Sequence, residues 1–391
     1  MVNTVKRPVW AEINLDHLAH NMEEVVKNIS GGTIPCAVIK ANGYGHGALE
    51  ISGVLREAGA RRFAVATLTE AIELRRGGIE IPVHVMGYTP EEFGDAVLDH
   101  EIIQTIDSLK QGRAFNEFAK RRNQVMKVHL KIDTGMSRLG FQVNEETVDE
   151  ILELFKLPNL EIEGIFTHFA MADDKDKAYT YSQWNQFQKM INWLERDHSH
   201  EIPVKHVSNS AAIIDLPEMN LDMVRPGIML YGLYPSEDVN RNNIKLKKVM
   251  EVHGRLAHVK ELEPGRGVSY GHAYHTSKDT IVGTIPAGYA DGFTRMLTGK
   301  AQIVYQGNPY PVIGRICMDQ FMADLTGTNP VQGDKVVIMS SDDSHPNTAD
   351  DFARQLGTIN YEIVCMVGRR VPRVYRKNGR ILHVIDHLLT R

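Results

Sequence analysis

The chain of 391 residues is poor in cysteine: Cys36, Cys317 and Cys365 are its only three. An odd, widely scattered set builds neither a disulfide framework nor a zinc knuckle, and points to a reducing cytoplasm. Long apolar runs are missing too. The first thirty residues carry Lys6, Arg7, Glu12, Asp16 and Glu23, and no later stretch of about eighteen residues is free of charge, so neither a secretory leader nor a membrane span is expected. There is no block of consecutive Lys and Arg; 44 basic residues face 49 acidic ones for a net charge of −5. Phosphate backbones and anionic membranes, which need a basic footprint, are excluded as partners. Internal repeats and low-complexity tracts are absent as well.

With 42% hydrophobic residues, the chain has enough to bury a large core, and its length suggests two or three domains. Up to about Pro235, short apolar runs alternate with amphipathic stretches. Val9 to Leu15 reads as a strand, Asp16 as a helix cap, and Leu18, Met22, Val25 and Val26 recur at helical spacing. Further strands are expected at Ile34 to Ile39, Phe63 to Ala66, Val83 to Met86, Ile102 to Ile106, Val125 to Ile132, Ile162 to Phe166, Val204 to Val207 and Met223 to Val224. Parallel βαβ units follow, closing into a (β/α)8 TIM barrel or lying open as a doubly wound sheet. Beyond Pro235 the texture turns to β, with strands at Met250 to Leu262, Ile281 to Ile285, Gln302 to Tyr305, Val312 to Met318, Lys335 to Met339 and Cys365 to Tyr375, and one helix near Ala349 to Leu356. The division expected is a barrel over 1–240 and a mostly β domain over 241–391.

A parallel barrel gathers function where its strands end. Lys40, Arg138, His168, Ser208-Asn209-Ser210 and Arg225 each follow a different expected strand. Lys40 comes directly after Ala37-Val38-Ile39, where an apolar wall lowers an ammonium pKa and frees the amine for Schiff-base chemistry. The residues that follow, Ala41-Asn42-Gly43-Tyr44-Gly45-His46-Gly47, combine glycines that let backbone approach a ligand with a phenol able to reach a phosphate. Ser208-Asn209-Ser210 reads equally as a phosphate contact or as the cap of the helix it precedes.

The segment Val38 to Gly47 resembles the cofactor-lysine motif of the alanine racemases, without a gap. Asp133 to Gly140, Arg225-Pro226-Gly227-Ile228, Ser269-Tyr270-Gly271, Gly288 to Gly292, Arg315 to Gln320 and Ile359-Asn360-Tyr361-Glu362 resemble further motifs of that family, in the same order. The likeness runs from about Trp10 to Pro372.

The resemblance implies a barrel-type pyridoxal phosphate enzyme that interconverts L-alanine and D-alanine and needs no metal. Lys40 would carry the cofactor as a Schiff base, and Tyr44, Ser210, Tyr361 and the backbone N–H groups of Gly227 and Ile228 would grip its phosphate. Arg225 would face the ring nitrogen where most pyridoxal enzymes place a carboxylate; a guanidinium keeps its proton, so the ring withdraws less charge from the α-carbon and transamination is disfavoured. Racemisation needs an acid/base on each face of the reacting carbon. Lys40 would serve the D enantiomer and Tyr270 the L enantiomer, the latter in a chain with His168 and Arg225. Arg138 would bind the substrate carboxylate, with Met318 beside it. Lys131 would support Arg138, in some family members as a carbamate, while Tyr289, Cys317 and Asp319 would form a gate. The same likeness implies a homodimer in which Tyr270, Tyr289 and Met318 complete the partner's site, and a role in peptidoglycan synthesis. Two other readings compete: a decarboxylase of the same architecture, against which Arg225 argues, and a non-catalytic carrier of the cofactor, against which the second domain argues. Two stretches depart from the family, the polar Ser340 to Ser344 loop and Gly271-His272-Ala273-Tyr274, and the latter bears on substrate breadth.

Overall fold

Short apolar strands that are each followed by an amphipathic helix return to the same end of a sheet and so pair in parallel. The computed structural model describes residues 5–389, so the outermost residues of both expected domains lie outside it. After a first strand, β1 (Val9–Asn14), come β2 (Ile34–Val38), β3 (Arg62–Val65), β4 (Val83–Val85), β5 (Ile103–Ile106), β6 (Met126–Asp133), a two-residue β7 (Phe141–Gln142), β8 (Leu160–Phe166), β9 (Val204–His206) and β10 (Met223–Val224). Their order is β10-β2-β3-β4-β5-β6-β8-β9, with β7 alongside β6. The ring is nearly closed: the Asp222 N–H donates to the Lys205 carbonyl at 3.1 Å and the Arg225 N–H to that of Ser208 at 3.0 Å. This is the expected (β/α)8 barrel rather than an open doubly wound sheet.

Where the helices start, short polar side chains accept the free N–H groups of the first turn. Thr67 and Glu70 form a reciprocal capping box on the helix Leu68–Arg76. The first helix is capped by Asn14, which accepts from the N–H groups of Asp16 and His17, and not by Asp16 as its position suggested.

β1 departs from the rhythm that seemed to place it in the barrel. It pairs antiparallel with Met250–Arg255 and parallel with Arg373–Lys377, inside a ten-stranded sheet otherwise drawn from the second half of the chain. An alternating strand cannot announce which sheet will take it. Three further differences lie in that half. The strand expected at Val312 to Met318 runs instead over Asn308–Ile313, and residues 314–318 form a loop. Met250 to Leu262 breaks into two strands, Met250–Arg255 in the interior of the sheet beside β1 and His258–Leu262 at its far edge. The apolar run around Cys365 forms a helix, Asn360–Met366, whose Ile363 and Val364 are buried; burial against the barrel overrides the β-branched composition. Among the described residues, no helix is long and apolar enough to cross a membrane.

The two sheets meet at the turn after β2. Arg373, fully buried, donates to the carbonyls of Gly45 at 3.0 Å, Val367 at 2.5 Å, and Gly368 and Val371 at 2.6 Å each. The Tyr375 hydroxyl donates to the His46 carbonyl at 2.9 Å. All four of these direct contacts are carbonyls, with the Glu50 carboxylate acting on the Arg373 charge only from a distance. Replacing Arg373 with Met is expected to take one donor from each of those carbonyls, Gly368 keeping only the Val371 N–H, and to lower stability by about 3 kcal/mol or more, read as a drop in the urea midpoint of unfolding.

Candidate active site

The turn after β2 is built against the ordinary handedness of the chain. Ala41, Asn42, Gly43, Tyr44 and Gly45 all have positive φ, at 52°, 53°, 62°, 52° and 82°. Together they make one turn of left-handed helix, a conformation that costs an L-residue about 1–2 kcal/mol. Gly43 N–H donates to the Ile39 carbonyl at 2.8 Å and Gly45 N–H to that of Ala41 at 3.0 Å. His46 sits fully buried under the turn, with Nδ1 at 3.0 Å from the carbonyls of both Gly43 and Tyr44. Burial drives its pKa down to about 3, so it is a neutral ring donating from Nδ1. The turn starts at Lys40 and brings Tyr44 into the same cavity.

That cavity, of about 630 Å³, opens where the barrel strands end. Lys40, Tyr44, Lys131 and Arg138 line it together with His168, Ser210, Arg225, Gly227, Ile228 and Tyr361. Ten residues named from the sequence are thus brought together from separate βα loops and from the helix Asn360–Met366. Burial, then the Arg138 guanidinium, lowers the Lys40 pKa, with Glu70 opposing. Lys131 is pushed down to about 7 by burial and by Arg225 and Arg138; its Nζ lies 4.9 Å from the Phe166 ring centre. The Arg138 loop is shaped by Asp133, whose Oδ1 accepts from the N–H groups of Gly135 and Ser137 at 3.0 Å each.

Arg225 is the buried cation of the floor. Its Nη2 donates to the carbonyls of Thr167 at 2.8 Å and Val207 at 2.9 Å, and lies 3.5 Å from His168 Nδ1. Nη1 donates to His206 Nδ1 at 2.7 Å. Burial brings its pKa only to about 10, so it stays charged. The next contacts, His206 Nε2 to His129 Nδ1 at 2.8 Å and His129 Nε2 to Glu163 Oε2 at 2.9 Å, fix every tautomer. Because Arg225 can only donate and the Glu163 carboxylate can only accept, each ring donates from Nε2 and accepts at Nδ1. Arg62 closes the row with 2.6 and 3.1 Å bonds to Glu163. His84, His129 and His206 are close enough to suggest a metal cluster, but the facing nitrogens of His129 and His206 are already bonded to each other.

Donors collect at the other end of the cavity. Asn209, not a serine, caps the helix Ser210–Asp215 by accepting from Ala212 N–H at 3.1 Å. That leaves the Ser210 hydroxyl free to turn inward, where it accepts from Gly227 N–H at 2.9 Å. Burial raises the phenol pKa of both Tyr44 and Tyr361, which keeps them donors. At Gly227 a Cβ would come within 2.9 Å of the Tyr44 hydroxyl, so only glycine leaves the cradle open. A flat aromatic aldehyde with a phosphate fits this arrangement: an amine favoured in its neutral form, a permanent cation at the floor, and neutral donors around a small hollow.

The remaining residues named from the sequence stand elsewhere on the single chain. Tyr270, 70% exposed, lines a separate open hollow with Cys317, Met318 and Asp319. Tyr289 borders an adjoining one with Tyr270 and Cys317. Asp319 accepts from Arg370 Nη2 at 2.7 Å. Sequence reasoning missed Phe166 and Cys365, which also line the main cavity. The place of Phe166 two residues before His168 is a signal for the first; nothing in a run read as a strand signals the second.

Glu163 offers a direct test of the buried row. Burial by itself raises its pKa, but the bonds from His129 and Arg62 outweigh this and hold it at about 2. A depressed carboxylate contributes stability above its unfolded pKa of about 4.3 and loses it as pH falls toward the folded value. Glu163→Gln is therefore expected to cost roughly 3 kcal/mol at pH 7 and to flatten the fall in stability between pH 4.5 and 2, seen by denaturant titration across that range.

A family model described as alanine racemase, N-terminal domain, matches residues 13–235, and one described as alanine racemase, C-terminal domain, matches residues 249–375. Alanine racemase 1 of Clostridium acetobutylicum is 46% identical over 383 residues, covering 98% of this chain and 99% of that protein. A solved alanine racemase of Clostridium difficile superposes with a TM-score of 0.95 at 43% identity, over 99% of this chain and 100% of that one. That of Bartonella henselae, solved with covalently bound pyridoxal phosphate, superposes with a TM-score of 0.84 at 26% identity, over 94% and 99%.

Proposed function

This chain belongs to the alanine racemase family, an isomerase family dependent on pyridoxal phosphate, and we propose that it interconverts L- and D-alanine with Lys40 and Tyr270 as its two proton-transfer groups. Pyridoxal phosphate, when bound, draws electrons from the substrate and makes the proton on the α-carbon labile. Everything else falls to the protein. Lys40 is the attachment point; its amine, favoured in the neutral form by burial, takes and returns the proton on one face. Tyr44, Ser210, Tyr361 and the N–H groups of Gly227 and Ile228 hold the phosphate.

Arg225, anchored by the carbonyls of Thr167 and Val207, would meet the cofactor's ring nitrogen with a guanidinium that keeps its protons. A guanidinium there would leave the ring a weaker electron sink and favour return of the proton to the α-carbon. The buried Arg225 guanidinium at the cavity floor is the observation that carries the reading, because a decarboxylase of the same architecture needs a carboxylate in that place. Arg138, partnered by no acid in its loop contacts, receives the substrate carboxylate. Lys131 supports the Arg138 side of the pocket; with its pKa brought to about 7, a neutral amine is available there for carbamate formation.

Tyr270 belongs to the opposite face and comes from the second subunit of a homodimer, with Met318 beside the substrate and Tyr289, Cys317 and Asp319 narrowing the approach. The exposure of Tyr270 on the single chain, and its separation from the Lys40 cavity, support this sharing. Production of D-alanine for peptidoglycan in the cytoplasm is the corresponding role.

In deuterated water, Tyr270→Phe is expected to suppress α-proton exchange from L-alanine by at least about 100-fold, while exchange from D-alanine, which starts at Lys40, persists. NMR of the α-proton in each enantiomer reads both directions. Equal exchange from both would refute the two-base assignment.

A further inference from the structure

Which residue keeps a left-handed turn in place is a question the known activity leaves open. Five consecutive residues of positive φ, 41 to 45, follow Lys40 and include Tyr44, and three of them, Ala41, Asn42 and Tyr44, carry a Cβ. Such a conformation persists only where its surroundings over-determine it. Some of the restraint is internal: Asn42 Oδ1 accepts from Ala48 N–H at 2.9 Å, and the Asn42 carbonyl from Gly47 N–H at 2.9 Å. The opening N–H of the turn, on Ala41, is answered from outside.

That answer is Glu70. Its Oε1 accepts from Ala41 N–H at 2.6 Å, and its Oε2 from Ala66 N–H at 2.8 Å and Thr67 N–H at 3.1 Å. One carboxylate thus takes three N–H groups from two neighbouring βα loops, those after β2 and β3. A carboxylate has acceptor capacity for all three, whereas an amide would present its NH2 to at least one of these donors. The capping box on the helix Leu68–Arg76 holds Glu70 itself in place, since Thr67 Oγ1 accepts from Glu70 N–H at 3.3 Å.

We propose that Glu70 is a positioning residue for the racemase site, clamping the left-handed turn so that the Lys40 amine and the Tyr44 hydroxyl face one cavity in register. The inference rests on the assignment of Lys40 and Tyr44 to the cofactor made above. It gives the capping box two roles, one on its own helix and one on the neighbouring loop.

The test uses full-length protein and four variants. Glu70→Gln is expected to weaken pyridoxal phosphate binding, followed by the visible absorbance on titration, by at least tenfold. It is also expected to speed amide hydrogen exchange at residues 41–47 before any cofactor is added. Thr67→Ala removes the cap hydroxyl that steadies Glu70 but leaves the carboxylate on Ala41, and should change both quantities far less than Glu70→Gln does. Ala41→Gly relieves the left-handed cost at the clamped position, so adding it to Glu70→Gln should restore most of the lost affinity.

Unchanged exchange at residues 41–47 in Glu70→Gln would overturn the proposal. So would equal damage from Thr67→Ala, which would mark helix capping alone, and so would failure of Ala41→Gly to rescue. If Glu70→Gln does not fold, Glu70→Asp, one methylene short of Ala41, is measured in its place with the same expectations. Borohydride reduction of wild-type holoenzyme with peptide mapping tests the Lys40 assignment separately, and the exchange result stands whichever way that falls.

Discussion

A charge that cannot be neutralised, buried at the floor of a barrel, constrains everything around it. Arg225 is held there by two carbonyls and a ring nitrogen rather than by an acid, so its field is left largely uncancelled. The groups nearby are shifted toward their neutral forms. Lys131 and His168 both have their pKa lowered first by burial and then by Arg225, and His206 likewise. The pocket therefore combines two guanidinium groups, Arg225 at the floor and Arg138 in its wall, with bases whose pKa values are lowered, which suits proton transfer at a carbon next to a carboxylate. The compensating acid sits two histidines away, at Glu163, and its own partner Arg62 keeps it ionised. A row of neutral rings with a single possible tautomer passes the polarity along without placing an anion beside Arg225.

Position in this site is bought with strain elsewhere. The left-handed turn after β2 aims Lys40 and Tyr44, and it is secured from three directions: His46 beneath it, Glu70 from the next βα loop, and Arg373 with Tyr375 from the other sheet. The last contacts explain why β1 belongs where it does. By pairing with Arg373–Lys377, it ties the start of the chain to the strand that supports the turn, so barrel and β domain share one structural joint. The loops carrying Tyr270 and Met318 lie outside that joint, exposed on the single chain.

Composition and alternation sufficed for parallel βαβ units, since a strand buried on both faces followed by an amphipathic helix has few other packings, but left barrel and open sheet undecided until the family likeness favoured the barrel. The lysine motif, with its glycines and tyrosine in close succession, disclosed one wall of the pocket. The helix at Asn360–Met366 was not legible, because its apolar run suits a strand until the barrel surface it covers is known. The same is true of the Asn14 cap and of the sheet that takes up β1. The roles of His46, Glu70, His129, His206 and Glu163 were hidden for a different reason: each depends on a partner far away in sequence, and a hydrogen bond between distant residues leaves no periodic trace.

By itself, then, the order of residues determined most strands and helices of the barrel and which side chains reach the ends of its strands, because these follow from local alternation and from chemistry carried within a few neighbours. Only the tertiary structure decided the charge states, the tautomers, the handedness of the turn after Ile39, and which loops share a cavity. Those quantities depend on burial and on distances between segments far apart along the chain, and both exist only once it has folded.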